Sequence, residues 1–383
     1  MFCGRKRGVE NRQLPARSIG ECPQRSHRLY EKTLADFANS CENARLMNPT
    51  PMPPPLVLRG TIFDPPLFCA PMANITHSAF RHVVAEYGGC GALFSEMLCA
   101  KMILKDDLKN SPWLKRRPGD GKLIYQLLVT STDNLPEILA RLATLAPDGL
   151  DLNCACAAWN VRNQGGGGAL FEDAPRMQAV VRVLRANFAG PLTVKIRLGN
   201  NTPLWRERLL ERVRLLADEG VDALTLHPRF SEDKFKRTAH HEMYAELAAA
   251  TSLPLIANGD ISGPEYCAAR AAAFAPVAGI MIGRMAAGCP WVFAKWREPE
   301  KVFDPAEAWM RFFAAISEDF PDAGQALTRV KIMTAYLARN YLFGHTFFVT
   351  IQNAPTLAAA RERAAQFFAT QPERHDLPHF EGV

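Results

Sequence analysis

Short apolar runs alternate with longer amphipathic stretches over most of the chain, from about residue 67 to residue 295. The apolar runs are four to seven residues long, which is the length of a buried strand. The eight runs are Leu67–Met72, Ala92–Met97, Leu123–Val129, Gly149–Cys154, Leu192–Leu198, Ala223–His227, Leu253–Ala257 and Gly279–Ile282. The stretches between them have helical period, as in Trp205–Glu219. The pattern therefore predicts eight strand–helix units.

The spacing of the runs indicates how these units are arranged. Successive runs start 25 to 43 residues apart, about the length of a strand, a helix and their two loops. Eight such units in roughly 230 residues favour a closed α/β fold, the (β/α)₈ or TIM barrel. An open doubly wound sheet with a similar number of strands is the alternative.

The two flanks of this region have a different pattern. Residues 1–60 have no sustained periodicity and end in a proline-rich stretch, which predicts an irregular N-terminal extension. Met47 and Met52 leave open a natural start downstream of residue 1. Residues 61–298 are predicted to form the barrel, and residues 299–383 a C-terminal all-helical domain. Its predicted helices are Ala306–Ile316, Gln325–Tyr341 and Thr356–Ala369.

The composition is typical of a soluble globular protein. Residues of the AVILMFWYC set make up 48% of the chain and charged residues 22%. No run approaches the roughly 20 apolar residues that a membrane-spanning helix needs. The N-terminus also lacks the apolar segment of a secretory signal peptide. We therefore expect a cytoplasmic protein without membrane association, and a monomer, since nothing points to an obligate protein partner.

The formal net charge of +6 is unevenly distributed. Residues 1–46 contain nine Lys and Arg against five Asp and Glu, so most of the excess lies in the predicted extension. Residues 300–383 contain eight basic and ten acidic residues. The overall charge is therefore weak evidence for a nucleic-acid partner, which has to be argued from local features.

The ten cysteines are spread along the chain and do not predict a metal site. Cys154 and Cys156 form a C-x-C pair, but no second Cys or His pair follows at zinc-ligand spacing. No metal is expected.

Polar and glycine residues stand at or just beyond the ends of the predicted strands, where barrel enzymes carry their active sites. These segments are Ala70-Pro71-Met72, Ser95-Glu96-Met97, Gln126, Asp151 to Cys156, Lys195 with Arg197, His227-Pro228-Arg229, Asn258-Gly259-Asp260 and Gly283-Arg284. Glycine lets backbone N–H groups approach an anion, and arginine adds a planar cation, so the last two segments predict a phosphate site. The alternative is that these glycines only permit tight turns and that Arg284 pairs with a carboxylate.

Three further features bear on chemistry. Lys195 and Arg197 alternate with apolar residues and would face the barrel interior, where a cation needs an anion or an electron-rich ring. Cys156, just beyond the fourth strand, is a candidate nucleophile or proton donor, with an inert thiol as the alternative. The run Gly165 to Gly168 lacks the other residues of a nucleotide-binding loop, so we interpret it as flexible or closely approaching backbone.

In order and spacing, these segments resemble the tRNA-dihydrouridine synthases over about residues 67–295. The resemblance implies an FMN-binding barrel followed by a helical domain that helps to hold RNA, with tRNA as the expected class. It implies that reduced FMN delivers a hydride to C6 of a uracil ring while a cysteine protonates C5. NADPH, or NADH, would re-reduce the flavin.

The resemblance also assigns residues by position. Cys156 would be the catalytic proton donor. Asn153, Arg197 and Arg229 would contact the substrate. The cofactor contacts would be Pro71, Met72, Gln126, Lys195, His227, Asn258, Gly259, Asp260, Gly283 and Arg284.

The catalytic turn departs from the family pattern. The family has Gly-Cys-Pro where this chain has Ala155-Cys156-Ala157, which removes one flexible and one fixed backbone position. Pro228 also stands where the family favours a small residue. Two alternatives therefore stay open: an FMN barrel reductase of another RNA or of a small pyrimidine or enone, and a degenerate barrel without catalysis.

Overall fold

A computed structural model describes residues 52–233 and 237–378. The predicted extension up to residue 51 lies outside the described residues. Its last part differs from the prediction, because Leu56–Leu58 (β1) pairs antiparallel with Thr61–Phe63 (β2) in a short hairpin. Strands of three residues are too short to show a period in the sequence. Leu56 and Leu58 are buried, so packing and not local pattern explains the hairpin.

The predicted barrel is confirmed. Eight parallel strands close into a ring, because the last of them pairs with the first. In ring order the strands are β3 (Leu67–Cys69), β4 (Ala92–Phe94), β6 (Leu123–Leu128), β7 (Gly149–Cys154), β8 (Leu192–Arg197), β9 (Ala223–His227), β10 (Leu255–Asn258) and β11 (Gly279–Ile282). A two-residue strand, β5 (Leu98–Cys99), adds to β6 beyond the end of β4. Each barrel strand overlaps one of the eight apolar runs.

Helices connect successive strands of the barrel. They are α1 (Ser78–Tyr87), α2 (Ala100–Ile103), α3 (Leu135–Ala143), α4 (Trp159–Asn163), α5 (Gly168–Glu172), α6 (Ala174–Asn187), α7 (Trp205–Asp218), α8 (Met243–Ala250), α9 (Pro264–Ala268), α10 (Ala271–Phe274) and, after β11, α11 (Arg284–Gly288). Within the described ranges, we find no helix with the length and apolar character needed to cross a membrane.

The C-terminal region is helical, as predicted. It contains α12 (Pro305–Asp319), α13 (Ala323–Leu337), α14 (Gly344–Gln352) and α15 (Leu357–Ala369). Short 3₁₀ turns lie at Ala294–Trp296 and Ala338–Asn340.

Both apolar and polar contacts hold the C-terminal helices against the barrel. The ring of Phe80 on α1 stacks on Phe312 of α12 at 5.6 Å between centroids. The buried carboxylate of Asp319 accepts a hydrogen bond from Arg117 at 2.6 Å. Arg329 of α13 donates to the Asn74 side chain, in the loop after β3, at 2.8 Å. The helices therefore lie beside the C-terminal end of the barrel strands.

The barrel interior has two different halves. At the N-terminal ends of the strands it is filled by an apolar cluster to which the β1–β2 hairpin contributes three side chains. The cluster contains Leu56, Leu58, Phe63, Phe68, Ala70, Ala92, Phe94, Ile124, Ala223, Ile256 and Met281. At the C-terminal ends the inward-facing residues are polar or charged. Polar chemistry is therefore confined to one end of the barrel.

Candidate active site

A buried carboxylate organises the polar end of the barrel on its β6–β7–β8 side. Asp151 accepts hydrogen bonds from Thr193 Oγ1 at 2.6 Å and from Gln126 Nε2 at 2.7 Å. Strand register places the three residues side by side. Burial raises the pKa of Asp151 to about 7, although these hydrogen bonds and Lys195 act against the rise.

The Asn153 amide shapes the turn that carries Cys156. Its Nδ2 donates to Gln126 Oε1 at 2.8 Å, and its Oδ1 accepts from the N–H groups of Ala155 and Cys156 at 3.1 and 2.9 Å. Asn153 was predicted to face the substrate and Gln126 the cofactor, and both contacts stay predictions. In the structure each side chain bonds to protein through both ends of its amide, and Asn153 holds the cysteine turn in place.

The glycine run packs directly against this turn. Gly168 N–H donates to Cys156 O at 2.9 Å. A Cβ built on Gly167, whose φ is +56°, would lie 2.8 Å from that oxygen and 2.9 Å from Cys156 Cβ. The run is therefore closely approaching backbone, one of the two interpretations given above, and it closes one side of the cysteine turn.

Cys154 and Cys156 differ in their surroundings. Cys154 is buried in the apolar core between the barrel wall and its helices, whereas Cys156 is partly exposed. Burial raises the pKa of Cys154, as expected for an inert thiol. Cys156 is thus the thiol that a ligand at the barrel mouth can reach.

Lys195 and Arg197 are buried cations on the inward face of β8. Burial, followed by the charge of Arg197, lowers the pKa of Lys195 to about 7, while Asp151 and Cys156 oppose the shift. Burial also lowers the pKa of Arg197 to about 10, with a contribution from Arg229. Arg197 Nη1 donates to Phe230 O at 3.2 Å. Cys156 opposes both shifts, so it interacts electrostatically with both cations.

A second charged group lies on the β9–β10–β11 side. Arg229 Nη2 contacts both oxygens of Asp260 at 2.7 and 2.6 Å, and Arg284 Nη2 contacts Asp260 Oδ1 at 3.1 Å. Arg229 Nη1 lies 3.0 Å from His227 Nε2. Burial, followed by Lys195, lowers the pKa of His227 well below its ordinary value.

Two of the predicted site residues are partners in this group. Arg229, predicted to contact the substrate, is 2% exposed and lies with His227 and Asp260, which were predicted to bind the cofactor. The Asp260 carboxylate pairs with Arg229 and Arg284. The predicted contacts of Arg229 with the substrate and of Asp260 with the cofactor stay predictions.

The glycines at the ends of β10 and β11 line the barrel mouth beside these cations, and each packs closely against neighbouring side chains. Gly259 has a φ of +110°, and a Cβ added there would lie 2.8 Å from His227 Cδ2. Gly283 lies beside Met72, whose Sδ would be 3.4 Å from an added Cβ. Asn258 links the two strands through a 3.0 Å hydrogen bond from Nδ2 to Met281 O.

The loop after β3 borders this space. Met72 N–H donates to Thr76 Oγ1 at 3.0 Å, and the same hydroxyl donates to Met72 O at 3.1 Å, which fixes the backbone that follows Pro71. Pro71 and Met72 are both partly exposed at the mouth. Their position agrees with a contact to a ligand lying between β3 and β11.

The charges and the space together fit a phosphorylated, electron-rich ligand. The cations Lys195, Arg197, Arg229 and Arg284 outnumber the carboxylates of Asp151 and Asp260 at this end of the barrel. Arg284 pairs with a carboxylate, the alternative raised above, yet Asp260 is shared between two arginines. The residues present therefore fit FMN, whose phosphate needs cations and glycine backbone and whose ring is electron-rich.

Sequence reasoning left Glu96 without a role, although it named the Ser95-Glu96-Met97 segment. Glu96 is 7% exposed, and its Oε2 accepts from Asn74 N–H at 2.8 Å. Its Oε1 has no hydrogen-bond partner among the described residues, and burial raises its pKa. On β9, Thr225 Oγ1 is likewise buried without a partner in the described part of the chain. The sequence did contain a signal for Glu96, because it is an acidic residue at the end of a predicted strand.

The described residues do not form a metal site. Within residues 52–233 and 237–378, no three His, Cys, Asp or Glu side chains are grouped so that they could hold a metal ion.

Residues 68–363 match the family model described as dihydrouridine synthase (Dus). The chain belongs to the dihydrouridine synthase family. It is 26% identical to a probable tRNA-dihydrouridine synthase of Helicobacter pylori over 318 residues, which cover 82% of this chain and 94% of that one. It is 30% identical to tRNA-dihydrouridine synthase B of Pseudomonas aeruginosa over 317 residues, covering 79% of this chain and 87% of that one. The family model spans the barrel and most of the helices after it.

Among solved structures, the old yellow enzyme from Trypanosoma cruzi aligns with a TM-score of 0.49 at 9% identity. The alignment covers 71% of this chain and 97% of that one. This similarity is too low to add to the fold described above.

Proposed function

We propose that this protein reduces the C5–C6 double bond of uridine in RNA, with tRNA as the first substrate class, to 5,6-dihydrouridine. The proposal takes FMN as the bound cofactor and NADPH or NADH as the electron donor. It is supported by family membership and by the names of the relatives. The observation that carries it is the partly exposed Cys156 at the polar end of the barrel, on a turn held by Asn153, whose neighbour in strand register is Lys195.

The cofactor would be held by the residues that border the glycine-lined space. We assign the phosphate to the β9–β11 side and the ring to Lys195 and the loop after β3. The proposed contacts are Pro71, Met72, Lys195, His227, Asn258, Gly259, Gly283 and Arg284, with Asp260 and Arg229 orienting the phosphate side. Bound there, FMN supplies the hydride that C6 of the uracil ring receives.

Cys156 completes the reduction by donating a proton to C5. The S–H bond breaks, the C5–H bond forms, and the resulting thiolate regains a proton from water. Lys195 and Arg197 interact electrostatically with this thiol and stabilise the negative charge that develops on it. Asn153 fixes the turn through the N–H groups of Ala155 and Cys156, so it replaces part of the rigidity of the family's Gly-Cys-Pro sequence.

The proposal divides the chain into a catalytic domain, residues 61–298, and a helical domain, residues 299–383, that contacts RNA. The helical domain lies at the same end of the barrel as Cys156, since Arg329 contacts the loop after β3. A long RNA bound over the barrel mouth would therefore meet it. A cytoplasmic, monomeric enzyme is part of the same proposal.

Isotope labelling tests the proposal and both hydrogen sources at once. Purified protein is reconstituted with FMN and incubated with unmodified tRNA and NADPH, and nucleosides are analysed by mass spectrometry. We expect dihydrouridine that carries one deuterium at C5 when the reaction is run in D₂O. Deuterium at C6 is expected with deuterated nicotinamide in H₂O to the extent that hydride transfer to the uracil is faster than exchange of the reduced flavin N–H with water.

Substrate size separates the main proposal from its alternatives. Reduction of free uridine or a small enone, with no product in any RNA, would favour a small-molecule reductase. FMN binding without turnover of either substrate would favour the non-catalytic barrel.

A further inference from the structure

An exposed tryptophan stands at the barrel mouth close to the catalytic cysteine. Trp159 is the first residue of α4, three positions after Cys156, and its side chain is 78% exposed. Tryptophan is usually well buried, because its large apolar surface is unfavourable in water. The exposure of this residue is therefore unlike that of the aromatic side chains in the core.

The neighbouring loop adds a second exposed apolar side chain. Leu204, in the loop after β8, is 56% exposed. The loop is joined to α4 by a hydrogen bond of 3.1 Å from Arg162 Nη2 to Asn200 Oδ1. Trp159 and Leu204 thus belong to adjacent segments of the same rim, on the β7–β8 side.

The charge of this rim indicates which partner it suits. Arg162 lies on α4 three residues after Trp159, and it forms no salt bridge with a carboxylate within residues 52–233 and 237–378. An exposed aromatic ring beside an un-neutralised arginine is the combination that single-stranded nucleic acid recognises, because a base stacks on the ring and a phosphate meets the cation.

We infer that Trp159 is a stacking platform for a base that flanks the target uridine, with Arg162 facing the adjacent phosphate. This inference rests on the proposed function. A uracil that reaches Cys156 must leave the base stack, so its neighbours in the strand lose a stacking partner. An indole at the rim replaces that partner. A free pyrimidine has no flanking base and would not use Trp159.

The test compares an RNA-dependent and an RNA-independent activity of four proteins: wild type, Trp159→Ala, Trp159→Phe and Val57→Ala. Val57 is the matched control, an apolar side chain 56% exposed on the hairpin at the opposite end of the barrel. Dihydrouridine formation gives the KM for tRNA. NADPH oxidation by dioxygen without RNA reports the flavin site alone.

Trp159→Ala is expected to raise the KM for RNA about 10-fold or more, given the usual strength of base–aromatic stacking. Trp159→Phe keeps a ring and should stay within about 3-fold of wild type. Val57→Ala should match wild type. All four proteins should oxidise NADPH equally without RNA.

Several outcomes would overturn the inference. A wild-type KM for Trp159→Ala would exclude stacking, and equal losses in the Ala and Phe variants would indicate a role other than an aromatic platform. Lower RNA-independent oxidation in Trp159→Ala would show a structural role. A changed sedimentation coefficient would show that the rim is a protein interface. If wild type modifies no RNA at all, the proposed function fails, and the variants would then not be needed to decide it.

Discussion

The two ends of the barrel are built from the same strands but have opposite chemistry. At the N-terminal end the interior is apolar and is closed by Leu56, Leu58 and Phe63 of the β1–β2 hairpin. At the C-terminal end the same strands present buried charges, among them Lys195 and Arg197. The change takes place within two residues along a strand: Ile124 is followed inward by Gln126, and Ile256 by Asn258.

This difference indicates what each end does. Burying apolar side chains stabilises the fold, by about 25 cal/mol for each Å² removed from water. Burying charged groups is unfavourable unless a ligand or ion compensates them, and burial, followed by neighbouring cations, lowers the pKa values of Lys195 and His227. One end is therefore a scaffold, and the other is kept polar for binding and catalysis.

The largest effect is expected from the catalytic thiol. Cys156→Ala should lower the rate of dihydrouridine formation by about 10²–10⁴-fold with FMN retained, because the proton donor is removed and the cofactor contacts stay. Cys154→Ala is the matched control, since that thiol faces the apolar core behind the barrel wall. Single-turnover assays with flavin absorbance check both variants. Normal turnover by Cys156→Ala, or a loss confined to Cys154→Ala, would reassign the donor.

At the opposite end, a mutation should affect stability and not catalysis. Phe63→Ala removes a fully buried ring from the apolar cluster and should lower the free energy of unfolding by about 3–5 kcal/mol. Urea unfolding measures the change. The activity of the remaining folded protein, per bound FMN, should equal that of wild type. A large loss of activity in folded Phe63→Ala would break the division between a scaffold end and a catalytic end.

The smallest effect concerns the pH dependence of stability of the flavin-free protein. The folded-state pKa of Lys195 is lowered to about 7, below its ordinary value. Between pH 7 and pH 9 the unfolded chain therefore binds a proton that the folded chain lacks, and the free energy of unfolding rises with pH. The contribution is on the order of 1–2 kcal/mol. In the Lys195→Met variant, the free energy of unfolding measured in urea should rise less over this pH range than in wild type. An equal rise would show that Lys195 remains charged in the folded protein.

Most of the barrel was predictable because its signal is local. Strand length and helical period are read within one unit, so all eight strands were found. The β1–β2 hairpin was not, since three-residue strands carry no period. Helix α14 was covered only by the general prediction that residues 299–383 are helical, and its Phe347, Phe348 and Val349 have the composition of a strand. Its helical form agrees with tertiary packing, in which Phe347 stacks on Phe367 at 4.5 Å.

The sequence predicted at which end of the barrel the site lies, but it did not predict the individual contacts between side chains. Hydrogen bonds such as Arg229 to Asp260 join residues 31 positions apart, just beyond the ends of different strands. No local pattern reports such pairing. The hydrogen bonds of Asn153, Arg229 and Asp260 therefore emerged only from the structure, and their predicted ligand contacts stay predictions.

The most direct test of the central claim is dihydrouridine mapping in RNA from cells that contain or lack this protein. Total RNA is digested to nucleosides and to sequenced fragments, and both are analysed by mass spectrometry. We predict that at least one uridine loses its reduction in the deletion strain, and that wild type but not Cys156→Ala restores it. Unchanged dihydrouridine at every position in every RNA class would contradict the claim.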